Sequence, residues 1–382
     1  RSEPMNLRFV YEREYDVVVC GIGSAGFCAA VACARHGLKT AAVDSFHMPG
    51  GVLTMLGNAC IHQFNNPYRA PGDRMIIRGI GWEYVNRLAA SGDARVADQD
   101  APYTGNHSQY GVWVNPVGAS YTMAEMLTEA GAALYFGHHI VDTVCTDTPV
   151  GRRVDGVVVS TKDGPALLRA KYVIDCTGDA DICAYSGFSC LTGDDGIVQP
   201  GSIYVNGTEY EVPYHASESD RLSHDEIVAR KTVLDSNRPA WILSTPAIAP
   251  RESRRVVCRY MMTYEDYMEC RTYPDAVCYT FWFIDIHTDS HQTHIEYLKG
   301  PETPSIRLAS LIPVGSVNVL VAGRCIGTDR AANSAIRVKA TCMALGEAAG
   351  AAAKTAIDTG TMDADAVRKL LADTDAVVPT VE

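Results

Sequence analysis

Gly21, Gly23 and Gly26 stand at G-x-G-x-x-G spacing, a pattern in which a turn without side chains can press its backbone against a pyrophosphate. Further along, Arg251, Arg254 and Arg255 crowd around Glu252. Guanidinium groups hold their charge at any working pH and grip carboxylates in a fork. Such a cluster clamps an anionic substrate, offsets negative charge on a bound cofactor, or ties two parts of a fold together. Asp285 and His287 are two residues apart, so on a strand they share a face. The imidazole titrates near neutrality and the carboxylate can orient it, which suits proton transfer beside a redox step. The same pair also serves as a structural hydrogen bond.

Other clusters lead less far. His287, His291 and His294, with Asp285 and Asp289 nearby, invite a metal reading. A metal-binding helix wants two His four residues apart on one face, whereas the stretch from Asp289 reads as a loop, so no metal is expected. The 13 cysteines are odd in number and contain no C-x2-C pair. Several lie inside apolar elements as small hydrophobes, which favours a reducing compartment over a disulfide scaffold. No charged-then-apolar leader is visible, so the expected location is cytoplasmic. A net charge of −12 argues against nucleic acid as a partner. Apolar runs such as Val17–Cys20 and Val317–Val321 fall far short of a membrane span.

The elements around the glycines give them their meaning. Tyr15–Cys20 is a β-branched run that reads as a buried parallel strand. An Ala-rich helix over Ala25–His36 follows, closed by Gly37, and Leu38–Asp44 is a second strand. In that βαβ frame Gly21 makes the turn, Gly23 admits the pyrophosphate and Gly26 lets helix meet strand. The helix N-terminus faces the phosphates with free N–H groups, and Asp44 is placed for a ribose hydroxyl. This unit alone does not separate NAD from FAD. The chain returns to it twice: through the strand Tyr172–Asp175 into Thr177-Gly-Asp179, and through the strand Ser316–Ala322 into the turn Gly323–Gly327. A helix over Arg337–Ile357 follows, with Gly346 and Gly350 on a close-packed face.

A late strand–glycine–helix that meets an N-terminal Rossmann unit resembles the two-part flavin site of glutathione-reductase-type flavoproteins. More specifically, the chain resembles a family of FAD-dependent oxidoreductases related to fumarate-reductase-like flavoproteins. The segments that carry this are Pro49-Gly50-Gly51-Val52, Thr177-Gly-Asp-Ala-Asp181, Pro250-Arg-Glu-Ser-Arg-Arg255, Asp285-Ile-His287 and Ala322-Gly-Arg-Cys-Ile326. They occur in the family's order and cover most of the chain. The chain departs from the family in being short, and in having Pro304-Ser-Ile-Arg307 where a Tyr is usual.

The resemblance implies non-covalent FAD. His47, three residues before Gly50, is at the wrong spacing for a histidyl flavin. The expected cofactor residues are Gly21, Gly23, Ser24, Ala25, Gly26, Asp44 and Ser45 from the first unit. Gly50, Gly51 and Val52 follow, with Val141 touching adenine through its backbone. Thr177, Gly178, Asp179, Gly323, Arg324 and Ala335 complete the set. His138 and His139 are expected to face solvent, and Asn58, Cys60 and His62 to run beneath the flavin ring.

The expected fold is α/β: a Rossmann-type FAD-binding domain from 1–60, 118–192 and 305–382, with an inserted α+β substrate cap from 61–117 and 193–304. The cap is rich in aromatics, expected as core, and Val277–Ile286 reads as one strand. No second G-x-G-x-x-G lies between Tyr172 and Val319, so no dedicated NAD(P)H domain is expected. The implied activity is hydride exchange between flavin N5 and a small polar, in one reading anionic, substrate. Arg254 or Arg337 would bind substrate charge and His287 would handle the proton. The electron donor or acceptor is unidentified, and a homo-oligomer is compatible with the sequence. Two alternatives stay open: a non-redox flavoprotein of isomerase or hydratase type, and an NAD-binding biosynthetic Rossmann protein.

Overall fold

The apolar run at the first strand is continuous because it is covered on both faces: Val17, Val18, Val19 and Cys20 are wholly buried. The computed structural model describes residues 8–193, 198–205, 208–212, 248–288 and 292–380. In it the run forms the inner half of β1 (Glu12–Cys20), followed by α1 (Ser24–Arg35) and β2 (Thr40–Asp44). Parallel pairing gives the order Ala133–Phe136, β2, β1, Gly164–Asp175. The far edge of Gly164–Asp175 is shared. Its C-terminal end pairs in parallel with Val319–Val321, and its N-terminal half pairs with the antiparallel Gly151–Thr161, which carries Ile140–Thr148. All seven strands fall within 1–60, 118–192 and 305–382, the segments assigned to the FAD domain. The C-terminal ends Cys20, Asp44, Asp175 and Val321 open on one edge, where ligands of open α/β sheets bind.

The helix Lys339–Thr359 lies directly on α1. A Cβ on Gly346 would stand 1.9 Å from the Ala25 carbonyl oxygen, and one on Gly350 would stand 2.7 Å from the Ala32 Cβ. Two helices of small residues can approach this closely only where glycine leaves the gap, and the contact fixes the N-terminus of α1 against the sheet. The helix expected over Arg337–Ile357 is Lys339–Thr359, the second of two helices; the first, Arg330–Ile336, lies before the expected span. Asp329 caps the first by accepting from the Ala332 N–H at 2.7 Å. Val338, with extended backbone at φ −67° and ψ 145°, then breaks the run.

Outside the large sheet the strands are short and antiparallel. Cys60–Ile61, Val112–Val114 and Ala94–Val96 form one sheet; Cys190–Thr192 pairs with Arg254–Val256; Gly201–Val205 and Thr208–Val212 form a hairpin. The strand expected over Val277–Ile286 is split into Ala276–Tyr279 and Ile284–His287. The chain changes partners between them, from Ser305–Arg307 to Thr293–Glu296, while the Trp282 N–H donates to the Tyr267 hydroxyl at 2.7 Å. Tyr214 and Trp241 of the aromatic stretch, and Asp289 and His291, lie outside the described residues. His294 is 64% exposed and faces Glu296 at 3.9 Å. All 13 cysteines are free. Among the described residues no helix is long and apolar enough to cross a membrane.

Candidate functional site

The glycines of the first turn divide into two kinds. Gly21 has φ +83°, and a Cβ there would stand 2.6 Å from the Cys176 carbonyl oxygen; a Cβ on Gly26 would stand 1.8 Å from the Gly21 carbonyl oxygen. Both positions serve backbone packing. Gly23 has an ordinary φ of −79°, and its Cβ would meet nothing within 4 Å. No atom of the protein requires glycine at that position. What a side chain would obstruct is the space in front of the α1 N-terminus, and bare backbone at a helix N-terminus suits a pyrophosphate.

That space is part of a cavity of about 900 Å³. Of the residues expected at the cofactor, Gly21, Gly23, Ser24, Ala25, Asp44, Ser45, Gly51, Val52, Thr177, Gly178, Asp179, Gly323 and Arg324 line it. Four expected cofactor residues stand outside the lining. Besides Gly26, Gly50 donates its N–H to the Ile22 carbonyl at 2.7 Å, and Ala335 is wholly buried in its helix. Val141 is 46% exposed and its neighbour Ile140 lines the cavity instead, because alternate strand residues face opposite ways.

Asp44 lies beside the first turn in the same cavity. Its Oδ2 accepts from the Ile22 N–H at 2.5 Å and its Oδ1 from the Phe46 N–H at 2.8 Å. Each oxygen keeps a further lone pair for a ribose hydroxyl. Burial pushes its carboxyl above the usual range, against those two N–H bonds. At the middle of the sheet, wholly buried Asp175 shapes the next turn. It accepts from the Thr177 hydroxyl at 2.7 Å and the Cys183 N–H at 3.0 Å. Asp179 pairs with Arg324 at 2.7 Å. Burial works to raise that carboxyl, but the guanidinium beside it holds it below the ordinary value.

The other end of the cavity carries different chemistry. His287 and Asp285 both line it. The His287 Nε2 lies 3.1 Å from the Asp285 Oδ1, and its Nδ1 is hydrogen-bonded to Glu211, which arrives from the hairpin Gly201–Val212. With a carboxylate on each ring nitrogen, both nitrogens are oriented. Burial raises the Asp285 carboxyl, but the His287 hydrogen bond and the Arg337 charge outweigh it and hold the group below its ordinary value. Arg337 is enclosed. Its Nη1 donates to the Gln199 Oε1 and the Arg251 carbonyl, both at 3.1 Å, and its Nη2 to the Asp285 carbonyl at 2.7 Å. Burial lowers its pKa to about 10 despite Asp285.

Aromatic rings and a lysine complete this end. His62 packs on Trp282 at 5.1 Å between centroids, and its Nε2 meets the Cys60 Sγ at 3.1 Å. Burial, aided by Lys339, lowers the His62 pKa to about 4, so the ring is neutral. The Lys339 Nζ donates to the Cys60 carbonyl at 2.7 Å. Tyr204, on the hairpin, takes a hydrogen bond from the Asn58 amide at 2.9 Å and donates to Glu209 at 2.8 Å.

Arg254 is the expected substrate residue that the structure places elsewhere. It is not among the cavity residues; its Nη1 bonds the Asp181 carboxylate and the Asp179 carbonyl, both at 2.9 Å. On its strand Arg254 faces away from Arg255, which is buried with its Nη2 donating to the Gly193 carbonyl at 3.1 Å. Arg251 lines the cavity and pairs with Glu209 at 2.5 Å. Of the two histidines expected at the surface, His138 is half-buried, and His139 is exposed at the cavity mouth. Sequence reasoning missed Lys339, Trp282, Tyr204, Glu209 and Glu211. No motif marks any of them: Lys339, Trp282, Tyr204 and Glu209 line the cavity and Glu211 bonds His287.

The family described as FAD dependent oxidoreductase matches residues 16–242 and 244–372. Among solved structures, the Mycobacterium smegmatis Sdh1 complex is 14% identical, with 95% of this chain and 73% of that one covered and a TM-score of 0.48. A geranylgeranyl bacteriochlorophyll reductase-like protein from Thermoplasma acidophilum is 14% identical over 94% of this chain and 82% of its own, with a TM-score of 0.42. Thermovibrio ammonificans THI4 is 20% identical over 49% of this chain and 66% of its own, with a TM-score of 0.34. No curated protein matches the sequence.

Proposed function

The chain belongs to the family of FAD-dependent oxidoreductases, with FAD as cofactor, and from that premise we propose that it exchanges a hydride with a small polar substrate held against His287. One observation carries this reading: His287, oriented from both sides by carboxylates, lines the same cavity as the bare-backbone cradle at Gly23. Bound FAD supplies the two-electron chemistry at flavin N5.

The residues divide the work along the cavity. Gly21 to Ala25 and the α1 N-terminus would hold the pyrophosphate, Asp44 the adenosine ribose, and Gly51, Val52, Gly323 and Arg324 the stretch toward the ring. His287 takes or returns the proton at the substrate atom next to the reacting carbon. Asp285 keeps the imidazole in place, and Arg337 keeps Asp285 in place through its carbonyl and carboxylate. Trp282 and His62 form an aromatic wall that excludes water from that end.

The test begins with the visible spectrum of the purified protein and acid precipitation. Flavin colour released into the supernatant, followed by bleaching on anaerobic mixing with small alcohols, hydroxy acids or amines, supports the reading. If reduced protein is instead reoxidised by the corresponding carbonyl compounds or imines, the working direction is reduction. Turnover of a substrate without any bleaching moves the protein to the non-redox class. A colourless protein that gains no flavin on adding FAD overturns the reading.

A further inference from the structure

Most cations around the cavity are paired. Arg251 pairs with Glu209 at 2.5 Å and lies 3.5 Å from Glu211; Arg324 pairs with Asp179 at 2.7 Å; Arg337 is held by Asp285 and by two further acceptors. Lys339 differs. Its Nζ makes one hydrogen bond, to the Cys60 carbonyl, and among the described residues no carboxylate oxygen lies within 4 Å of it. An ammonium has three N–H donors, so two remain. Lys339 also opens the helix Lys339–Thr359, whose N-cap Val338 brings no side-chain acceptor. Val338 and Lys339 both line the cavity, so the positive end of the helix dipole reaches the same place. A cation set among Cys60, Cys342 and an aromatic wall, with Glu209 acting on it only from beyond ion-pair distance, is costly unless a ligand brings a closer counter-charge.

We propose that Lys339 binds the anionic group of the substrate and that this substrate is a small monocarboxylate. The inference rests on the reading of the cavity as a substrate-processing flavin site. The single charge follows from the surroundings. Arg337 and Arg251 are each already paired with a protein carboxylate, and Glu209 and Asp285 line the same cavity, so among the described residues a dianion would meet one cation without a paired carboxylate and two acids. Arg254 is excluded by its engagement with Asp181. The apolar surroundings also lower the Lys339 pKa to about 8 by burial, which ties binding to pH. The titratable groups facing Lys339 are Cys60 from the strand Cys60–Ile61, His62 just after it, Glu209 from the hairpin, and Cys342 from its own helix. Burial sends Cys60 up to about 11 and Cys342 to about 12, and sends His62 down to about 4. Burial raises Glu209, but Arg251 and its hydrogen bonds hold it below its ordinary value. Between about 5 and 10, therefore, Lys339 is the member of this group whose charge changes.

The experiment is a titration of the FAD-loaded protein with acetate and with benzoate, read by perturbation of the flavin absorption band and by calorimetry. The wild type should bind at least one of them saturably. Lys339→Met should weaken that binding by about tenfold or more, the loss of a charge-assisted contact, and Lys339→Arg should restore part of it. Wild-type affinity should decline as pH rises past about 8, and the Met variant should lack that decline. Lys339→Gln carries the comparison if the Met variant fails to hold FAD. Binding of equal strength in the variants, a pH decline that survives in them, or no binding of either carboxylate to the wild type overturns the proposal. A protein that binds benzoate through Lys339 but is never reduced by a carboxylate-bearing substrate leaves this assignment standing and sinks the redox reading alone.

Discussion

Gly23→Ala and Gly26→Ala add the same methyl group three residues apart and should act in opposite ways. At Gly26 the new Cβ would stand 1.8 Å from the Gly21 carbonyl oxygen and 3.2 Å from the Cys176 Cβ. The first obstacle is backbone, so α1 itself must move. It has no free side to move to, because Gly346 of the helix Lys339–Thr359 already seats that helix on the Ala25 carbonyl. Overpacking costs about 1–3 kcal/mol, and this site belongs at roughly the upper end of that range. At Gly23 the methyl meets no protein atom and φ is −79°, so the flavin-free protein should stay within about 0.5 kcal/mol, or gain slightly as alanine narrows the unfolded ensemble. FAD binding is what Gly23→Ala should lose. Displacing the pyrophosphate from two backbone N–H groups, at about 1.5 kcal/mol each, weakens affinity by about 100-fold. Thermal unfolding of the flavin-free variants and FAD titration by fluorescence read the two effects separately. Wild-type FAD affinity in Gly23→Ala would refute the cradle, and an unchanged melting temperature in Gly26→Ala would refute the packing argument.

His287→Asn should keep the flavin spectrum and FAD affinity while slowing reduction by substrate about 10²–10⁴-fold; a rate within a few fold of wild type by stopped flow would remove His287 from the chemistry. Glu347→Gln should change how stability depends on pH. The Glu347 carboxyl is 3% exposed, accepts from the Ile80 N–H and the Thr374 hydroxyl, and is raised by burial from 4.5 to about 7. The native state therefore binds its proton more tightly than the unfolded chain. Its contribution is fully present below about 4.5 and lost as pH rises through about 7, a difference of about 3 kcal/mol. The Gln variant should lack that decline and gain on the wild type between mildly acid and mildly basic buffer. Parallel melting-temperature profiles for the two proteins would show that Glu347 is not the group responsible.

The dinucleotide unit was legible because its requirements are local. A strand, a turn that excludes side chains, a helix N-terminus and an acid at the next strand end lie within thirty residues of one another in the chain, from Tyr15 to Asp44. Gly26 answers to the backbone five residues before it, whereas Gly21 packs on Cys176 of the returning strand and Gly23 meets no protein atom. The returning strands were legible for the same reason, as short buried runs that enter glycine turns. Helix and strand limits were less so. The short helix Arg330–Ile336 went unread, and the split of Val277–Ile286 follows from a change of pairing partner.

The substrate end was decided by tertiary structure. Pattern alone picked Arg254 or Arg337 for the substrate charge, although Arg251 and Arg255 carry the same charge. Which one keeps donors free depends on what each meets, and those partners come from Asp181, Glu209, Gln199 and Asp285. His287 gained its second carboxylate, Glu211, across 76 residues of chain. Among the described residues Lys339 became the cavity lysine with no carboxylate at ion-pair distance because its helix begins beside Cys60. Sequence settles an interaction when the residues that make it are neighbours along the chain. It leaves open a charge balance that is struck among side chains brought together by the fold, because pairing energy depends on distance and burial that composition does not contain.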